Sequence, residues 1–556
     1  RRFTVSVLVA LAAAGVLLFR GSATDAAEGQ LGAPAAQSGA APAALVSPAQ
    51  LIPARVRRLS NAEYDASIRA LLASSLAPGR DFAPDARQAG FTENEAQRVD
   101  TVLALQLSAA AEKLAAEARR SFALIARCDA PAEPEACARA FIASFGARAY
   151  RRPLDPAEST GLLEVYRAGA QDATYADGIE LVIRAVVQSA GFLYVTELGD
   201  PLLRDARTLH LRGEEIASAL SYLVTGAPPD RQLLEAASTG ALESPELRRS
   251  ELRRLRREHP ESRERLARVV REWLQIDAIE NTAKDVAIYP SYELMRQYFI
   301  RESHDFIGAV LDRPAGAESD LTTLLQADWT IAHKNLADFY GAQELGGGRY
   351  KLTSRRGILN QGAFLSVQAH VRSSAPVLRG AVIARRLACI PVASPATVGL
   401  SPLPPPPDPK LTTRQRFDVH STNPTCADCH ASIDPFGNTF EHYDGMGGFR
   451  ETESSVAVDS STEIELGADF DGAYQDSNAL TAALAKSARV RECFARYLFR
   501  AGTARSTESS GSADATSSED GFIEEWRALP ESKRGNVMDT LEALVASRYF
   551  TERRVR

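Results

Sequence analysis

Residues 60–72 read SNAEYDASIRALL. Ser60 and Glu63 match a capping box, in which the hydroxyl and the carboxylate each accept a hydrogen bond from a free amide of the first helical turn. Apolar side chains then recur on one helical face, at Tyr64, Ile68, Leu71 and Leu72. This spacing predicts an amphipathic helix near the start of the folded part of the chain.

Further helical signals follow along the chain. An Ala/Leu/Glu-rich pattern predicts a long helix over 99–124, and 214–224 is amphipathic. Asp155-Pro156-Ala157-Glu158 has the residues of a helix start, with a capping Asp and Pro in the first turn. Thr412 and Gln415 match a further capping box, for a helix that runs to about His420. In 248–275 acidic residues alternate with arginines, which predicts a helical face in contact with solvent.

Strand signals are few. We expect residues 456–458 and 463–465 to pair as a small hairpin. The predicted fold is therefore mainly α, a multi-domain helical array with a minor β hairpin. Of the 556 residues, 45% are hydrophobic, as in ordinary globular proteins, and the net charge of −7 argues against a general nucleic-acid binder.

The amino terminus has the layout of an export signal. Two arginines precede an apolar run over 3–19, and small residues follow at 21–23. This order predicts a secretory signal peptide or an N-terminal membrane anchor within 1–26, and hence a periplasmic or other extracytoplasmic location. The run of about 17 residues is at the lower limit for spanning a bilayer, so both interpretations stay open. Residues 27–50 are rich in Ala, Gly, Pro, Ser and Gln and predict a flexible linker.

Residues 426–430 read CADCH, the attachment signature of a c-type haem. The thiols of Cys426 and Cys429 are spaced to bond the two vinyl groups of one haem, and His430 is placed to ligate the iron. The other interpretations are a redox dithiol with an incidental histidine, and half of a zinc site. Zinc requires two more ligands at close spacing, and the sequence has no second Cys-x-x-Cys and no paired histidine. We therefore predict one covalent haem c in a small cytochrome-c-like module.

Four of the six cysteines lie outside this pentad. An even number in an exported chain predicts two disulfides, for which three pairings are possible. Cys128 and Cys137 flank a short proline-containing loop and are natural partners, which leaves Cys389 with Cys493. The alternative is four buried free thiols.

The second axial ligand of the iron decides between electron transfer and small-molecule chemistry. Met446, which glycines flank, is one candidate, and its alternative role is that of a packing residue. Further candidates are His370, His420 and His442. Arg450 is a candidate for binding a haem propionate, or else for a surface salt bridge.

Several motifs are spread along the chain: RLSNAEY at 58–64, RAYRRPLDPAE at 148–158, LQADWT at 325–330, LA at 336–337 before YG at 340–341, RGIL at 356–359, PVLRG at 376–380, CADCHASIDPFGNTFEHYDGMGGFR at 426–450 and LVASRYF at 544–550. Together they resemble a family of large, modular, exported proteins of planctomycetes and myxobacteria. That family is built from planctomycete cytochrome-C-associated domains of unknown function. Two positions depart from its pattern, because His333 stands in place of Asn and Ser374-Ala375 in place of Thr-Ser.

The resemblance covers nearly everything after residue 50. It implies five consecutive, mostly helical modules with the haem motif in the fourth, which we place at 51–127, 128–200, 201–345, 346–470 and 471–556. Two segments within them have a biased composition. The proline-rich stretch 401–409 predicts a stiff spacer into the haem segment, and the Ser/Thr/Asp/Glu-rich stretch 503–520 predicts a mobile loop.

The resemblance does not imply a reaction, so three functions are open. The first, which we favour, is an exported c-type haem protein that transfers electrons to or from a redox partner protein. The second is a haem-dependent peroxidase or oxygenase. The third is a scaffold that binds a polymer or a partner and carries the haem as an accessory. The sequence leaves open whether the protein is an enzyme.

Overall fold

The computed structural model describes residues 51–555 apart from 129–131, 201, 203–206, 315–316, 393–404, 406–407, 409 and 506–512, and apart from the side chains of 419, 420, 425 and 513–517. The predicted signal segment and linker lie outside the described residues. So does most of the proline-rich spacer.

Helices dominate the described residues, which confirms the predicted fold class. They are α1 (Asn61–Leu72), α2 (Thr101–Ala118), α3 (Phe122–Ile125), α4 (Pro134–Tyr150), α5 (Pro156–Ala170), α6 (Tyr175–Val186), α7 (Ala190–Leu193), α8 (Gly213–Thr225), α9 (Arg231–Ser238), α10 (Pro245–Glu258), α11 (Glu261–Trp273), α12 (Tyr292–Leu311), α13 (Asp320–Gln326), α14 (Lys334–Tyr340), α15 (Gly362–Val367), α16 (Pro376–Val382), α17 (Thr413–Phe417), α18 (Val419–Thr422), α19 (Pro424–His430), α20 (Asp434–Asn438), α21 (Ser477–Lys486), α22 (Ala488–Gly502), α23 (Ala513–Arg527), α24 (Val537–Ala546) and α25 (Arg548–Thr551).

The strands are short, and each pairs with its neighbour in antiparallel fashion. They are β1 (Arg55–Arg58), β2 (Tyr194–Glu197), β3 (Thr208–His210), β4 (Trp329–Ile331), β5 (Gln343–Gly346), β6 (Arg349–Lys351), β7 (Thr452–Glu453), β8 (Val456–Ala457), β9 (Thr462–Ile464), β10 (Gly472–Tyr474) and β11 (Glu552–Arg554). The pairs are β1 with β2, β3 with β11, β7 with β8 and β9 with β10, and β6 lies between β4 and β5.

The predicted hairpin between 456–458 and 463–465 is wrong. β8 pairs with β7, and β9 pairs with β10. The reason is a two-residue turn between β7 and β8, in which Ser454 and Ser455 have φ of 52° and 63°. Positive φ at both central residues suits the twist of a two-residue hairpin. The sequence lacks the Asn-Gly pair that usually predicts such a turn.

The local helix starts are as predicted. Ser60 and Glu63 form the capping box of α1, and Asp155 and Glu158 form that of α5. The predicted helix 99–124 is shorter than expected, because the backbone passes through a tighter 3₁₀ turn after α2 before α3 begins.

Buried apolar side chains form two large clusters. One gathers residues between Tyr64 and Leu193, from α1 to α7. The other begins at Leu51 and Ile52 and otherwise consists mainly of residues beyond Leu211. The predicted domains 51–127 and 128–200 thus contribute to one core, and the division into five domains remains a prediction.

The charged segment 248–275 is only partly the solvated face that its composition predicts, since Arg253 and Arg257 are exposed but three other arginines are not. Arg248, Arg254 and Arg265 are buried in α10 and α11. Backbone carbonyls and carboxylates engage these guanidiniums: Arg248 donates to the carbonyl oxygen of Leu242 at 2.8 Å, and Arg254 pairs with Asp230 at 2.7 Å, although Nη1 of Arg265 has no hydrogen-bond partner among the described residues. Burial is therefore compatible with charge because the hydrogen-bond partners are built into the fold.

The predicted mobile loop 503–520 is also partly wrong. Residues 513–527 form α23, whereas 506–512 lie outside the described residues. Phe522, Ile523 and Trp526 of α23 are buried in the larger core, and burial of these side chains stabilises a helix whose beginning is polar in composition.

Candidate functional site

The CADCH pentad lies on one short helix. Thr412 and Gln415 form the predicted capping box of α17, and α18 and α19 carry the chain on to His430. Cys426 and Cys429 are three positions apart on α19, and both are unbridged thiols. Cys429 is exposed and Cys426 is partly buried, so both thiols can be reached from outside the fold.

The other four cysteines form the two predicted disulfides. Cys128 bonds Cys137 with a Cα–Cα distance of 5.3 Å, and Cys389 bonds Cys493 with a Cα–Cα distance of 5.6 Å. Both pairings are confirmed. Two disulfides are typical of a protein that folds in an oxidising compartment.

Asp434 orients the ring of His430. Its Oδ1 lies 2.9 Å from Nδ1 of His430, and the hydroxyl of Ser421 donates to its Oδ2 at 3.5 Å. A proton on Nδ1 makes Nε2 the nitrogen whose lone pair can bind a metal. Asp434 is not among the site residues predicted from the sequence, although its position four residues after a proposed ligand is a usable signal.

Two glycines bring α20, which follows the pentad, against α16. A Cβ on Gly380 would overlap the carbonyl oxygen of Ile433, and a Cβ on Gly437 would overlap that of Pro376. Only glycine permits this close approach of two helices. The PVLRG and DPFGN motifs, more than fifty residues apart in the sequence, are therefore packed directly on each other.

A buried arginine of the PVLRG motif anchors the chain that follows α20. Arg379 is 0% exposed, and its guanidinium donates to the carbonyl oxygens of Phe440 at 3.0 Å, Tyr443 at 2.9 Å and Asp444 at 2.7 Å. Burial lowers the pKa of Arg379 to about 10, and the carboxylate of Glu441 opposes this shift. The backbone of 440–444 is thus held by one side chain.

Met446 has the contacts of a packing residue. It is 7% exposed, it belongs to the larger core, and its Sδ lies 3.9 Å from the hydroxyl of Ser291. Oδ1 of Asp444 accepts hydrogen bonds from the N–H groups of Met446 and Gly448 at 2.8 Å each, which closes the glycine-rich turn. Coordination of iron by Met446 stays a prediction.

Arg450 is engaged by carboxylates. Its Nη1 lies 2.8 Å from Glu453, and its Nη2 lies 3.3 Å from Glu441. The Ser374 hydroxyl accepts a hydrogen bond from Arg450 at 3.1 Å and donates one to Glu441 at 3.1 Å. Ser374, one of the departures from the family pattern, therefore supports an ion pair, and binding of a propionate by Arg450 stays a prediction.

The candidate histidines have different surroundings. His370 stacks on Phe417 of α17, with ring centroids 6.0 Å apart, and its pKa is lowered by burial and by the charge of Lys284. Nδ1 of His442 lies 2.9 Å from the carbonyl oxygen of Arg450, in a turn that the backbone also closes. The side chain of His420 lies outside the described residues. His370 is thus the candidate that contacts the helical segment leading to the pentad.

Lys284, which the sequence analysis missed, lies beside His370. Its Nζ donates to the carbonyl oxygens of Ala369 at 3.0 Å and His370 at 2.8 Å. Burial and the charge of Arg379 lower the pKa of Lys284 to about 7. No sequence pattern marks this residue, because its burial depends on a loop that is distant in the chain.

His333, the other departure from the family pattern, lies away from these residues. Its Nδ1 accepts the N–H of Asn335 at 3.2 Å at the start of α14, and its ring stacks on Tyr298 with centroids 4.6 Å apart. These contacts assign it a local structural role.

The donor set of the pentad fits a haem better than a bare metal ion. Across the described ranges, no group of three or more His, Cys, Asp or Glu side chains is arranged to hold a metal ion. A structural zinc ion needs four such ligands, whereas a haem brings its own ring nitrogens and requires one or two axial ligands.

Within the same ranges, no helix is long and apolar enough to cross a membrane.

Family models match four parts of the chain, and each describes a protein of unknown function. They are PSD3 (DUF1587) at 57–120, PSD5 (DUF1595) at 137–197, PSD4 (DUF1592) at 211–342 and PSCyt3 (DUF1588) at 355–453. Each match lies inside one of the first four predicted domains, and the PSCyt3 match includes the pentad.

The chain is therefore a multi-domain protein of serial helical modules. In particular, it contains four domains of the planctomycete cytochrome-C-associated kind. No curated protein and no solved structure matches it.

Proposed function

We propose that this protein is an exported c-type haem protein that transfers single electrons to or from a redox partner protein. The observation that carries the proposal is the state of the cysteines. Four of the six are paired in disulfides, whereas Cys426 and Cys429 remain thiols on one helix directly before His430. Thioether bonds to one haem use both of these thiols and the spacing between them.

The chain's own residues have distinct roles in this proposal. Cys426 and Cys429 attach the haem, His430 binds its iron through Nε2, and Asp434 holds the imidazole in the orientation that makes this possible. Bound haem supplies an iron that exchanges one electron at a time. Export is supported by the two disulfides and by the predicted amino-terminal signal.

Covalent attachment is tested by expression in the periplasm of a host with haem c maturation, followed by haem staining of a denaturing gel. We expect staining of the wild-type chain and none of the double variant Cys426→Ala/Cys429→Ala. The matched control is Cys128→Ala/Cys137→Ala, which removes another cysteine pair and keeps the pentad. Absence of covalent haem from the wild-type chain, or staining of the pentad variant, would contradict the proposal.

The reaction class is tested by absorption spectroscopy of the same protein. Electron transfer predicts low-spin iron with a sharp α band after reduction and no spectral change with carbon monoxide. High-spin iron that binds carbon monoxide or peroxide supports a peroxidase or oxygenase instead. Met446→Ala and His370→Ala identify the sixth ligand, because only loss of the ligand converts a low-spin spectrum to a high-spin one.

Asp434 offers a finer test of the histidine's environment. Asp434→Asn keeps a hydrogen-bond acceptor near Nδ1 but removes the negative charge, so His430 becomes a weaker electron donor to the iron. We expect covalent haem to persist and the midpoint potential to rise in a redox titration. An unchanged potential would mean that the Asp434 carboxylate does not act on the iron through His430.

A further inference from the structure

A polar cleft lies between the first helix and the middle of the chain, and its lining residues all fall between 61 and 304. It has a volume of about 810 Å³, large enough for a small organic ligand. One wall is α1, with Asn61, Asp65 and Arg69 one helical turn apart. The facing wall is α11, which presents Arg268 and Arg271.

Three arginines of this cleft have uncommitted guanidiniums. Within the described part of the chain, Arg69, Arg80 and Arg268 form no ion pair or side-chain hydrogen bond, and all three line the cleft. Burial raises the pKa of the Asp65 carboxyl above its usual value. The positive charges of the three arginines lower this pKa, but they do not outweigh burial. Oδ1 of Asp65 accepts a hydrogen bond from the N–H of Gly79 at 2.7 Å, so the backbone already binds this carboxylate.

The other cations of the cleft are neutralised within it. Arg87 forms an ion pair with Asp277, and Arg271 lies 2.9 Å from Glu264. The guanidinium of Arg271 also lies 2.6 Å from Nε2 of His304. The lining has six carboxylates and five arginines, so the cleft has no general excess of positive charge, and what sets the other three arginines apart is that their guanidiniums form no ion pair within the described residues.

The walls also contain polar atoms that nothing in the described structure satisfies. Nε of Arg271 and Oδ1 of Asp277 are buried without a hydrogen-bond partner, and Arg271 is 3% exposed. A buried polar group without a partner destabilises a fold, so the chain's own residues leave this wall incompletely satisfied.

We propose that this cleft binds a hydroxylated small molecule that bears an oxyanion group, such as a sugar carboxylate, sulfate ester or phosphate ester. Guanidiniums bind oxyanions through paired N–H donors. Carboxylates on the same walls accept hydrogen bonds from hydroxyl groups. One of them is Glu272, to which the Thr92 hydroxyl donates at 2.6 Å. Among the described lining residues there is no Phe, Tyr or Trp on which a nucleobase could stack, which favours a sugar acid or ester over a nucleotide.

Calorimetric titration of the full chain tests this proposal with glucuronate, glucose 6-sulfate, glucose 6-phosphate and neutral glucose at low ionic strength. We expect at least one of the three anions to bind about 10-fold or more tightly than glucose, and the preferred anion identifies the oxyanion. Binding of none of them more tightly than glucose would overturn the proposal.

Two sets of variants locate the site. Arg69→Gln/Arg80→Gln removes two guanidiniums that form no ion pair within the described fold, and Arg268→Gln removes the third from the opposite wall. We expect each set to weaken binding of the preferred anion by about 10-fold or more, with an unchanged circular dichroism spectrum. The matched control is Arg231→Gln, an exposed arginine outside the cleft, which should leave binding unchanged. Equal effects of control and cleft variants would overturn the assignment.

Discussion

Glu197 is a single carboxylate that ties the two ends of the chain together. It accepts hydrogen bonds from Arg55 at 3.0 and 3.1 Å and from Arg553 at 2.7 Å. These residues belong to β1, β2 and β11, and the three side chains are almost fully buried. The substitution Glu197→Gln keeps the shape of the side chain and removes its charge.

The expected effect of this substitution is large. The neutral amide would leave two buried guanidiniums without a counter-charge, and breaking a buried ion pair on one side costs about 3–5 kcal/mol of unfolding free energy. The same substitution at the protein surface costs far less unfolding free energy, because water replaces the lost partner.

The effect also has a defined pH dependence. Burial alone would raise the pKa of Glu197, but the charges of Arg55 and Arg553 outweigh burial and hold it well below the usual range. The ionised carboxylate therefore stabilises the fold above the unfolded pKa of about 4.3, and this stability is lost as the pH falls toward the folded pKa. The difference in unfolding free energy between the wild type and Glu197→Gln should be constant from about pH 7 to about pH 5 and should become smaller below that pH.

Urea unfolding, monitored by circular dichroism between about pH 7 and about pH 3, measures the loss of unfolding free energy and its dependence on pH. The matched control is Glu135→Gln. Glu135 also bridges two arginines, Arg139 and Arg167 at 2.7 Å each, but it lies in solvent on α4. We expect a much smaller loss of stability for Glu135→Gln. Equal losses of unfolding free energy for the two variants would refute the reasoning from burial. So would a difference between the wild type and Glu197→Gln that stays the same at acidic pH.

Two further predictions concern backbone constraints. Replacing Cys389 and Cys493 by Ser opens a loop with a sequence separation of 104 residues, and we expect a loss of about 4–5 kcal/mol in non-reducing urea unfolding. The other disulfide closes a separation of only 9 residues, so its removal should cost roughly 2–3 kcal/mol, and the reverse ranking would contradict the chain-entropy argument. Gly380→Ala should destabilise the fold by about 1–3 kcal/mol or more, because its Cβ would overlap the backbone of Ile433, directly before α20. By contrast, Gly161→Ala in α5 meets no atom within 4 Å and should stabilise the fold by roughly 0.5–1 kcal/mol, as thermal unfolding of both variants would show.

Features that depend on neighbouring residues were predictable from the sequence. The caps of α1, α5 and α17 lie where Ser60, Asp155 and Thr412 indicated, because a cap is satisfied within three residues of itself. The disulfide pairing followed from a small, even number of cysteines and from one short loop. The pentad predicts its chemistry for the same reason, since thiols and imidazole are adjacent in the chain.

Features that depend on distant partners were not predictable. Part of the solvated face expected for 248–275 is buried: the Arg248 guanidinium, for example, also reaches backbone oxygens of Val545 and Ala546, almost three hundred residues away. The polar composition of 503–520 predicted a loop, yet part of it is helical because apolar residues of α23 beyond 520 reach the core.

The sequence by itself determined that this protein is mainly helical and that its cysteines form two disulfides. Only the tertiary structure decided what surrounds the pentad. Asp434 against His430, the buried Arg379 that holds 440–444, and the stacking of His370 on Phe417 each join side chains to groups that the sequence does not pair. The physical reason is that hydrogen-bond donors and charges are satisfied by proximity in space, and packing of the two cores sets that proximity.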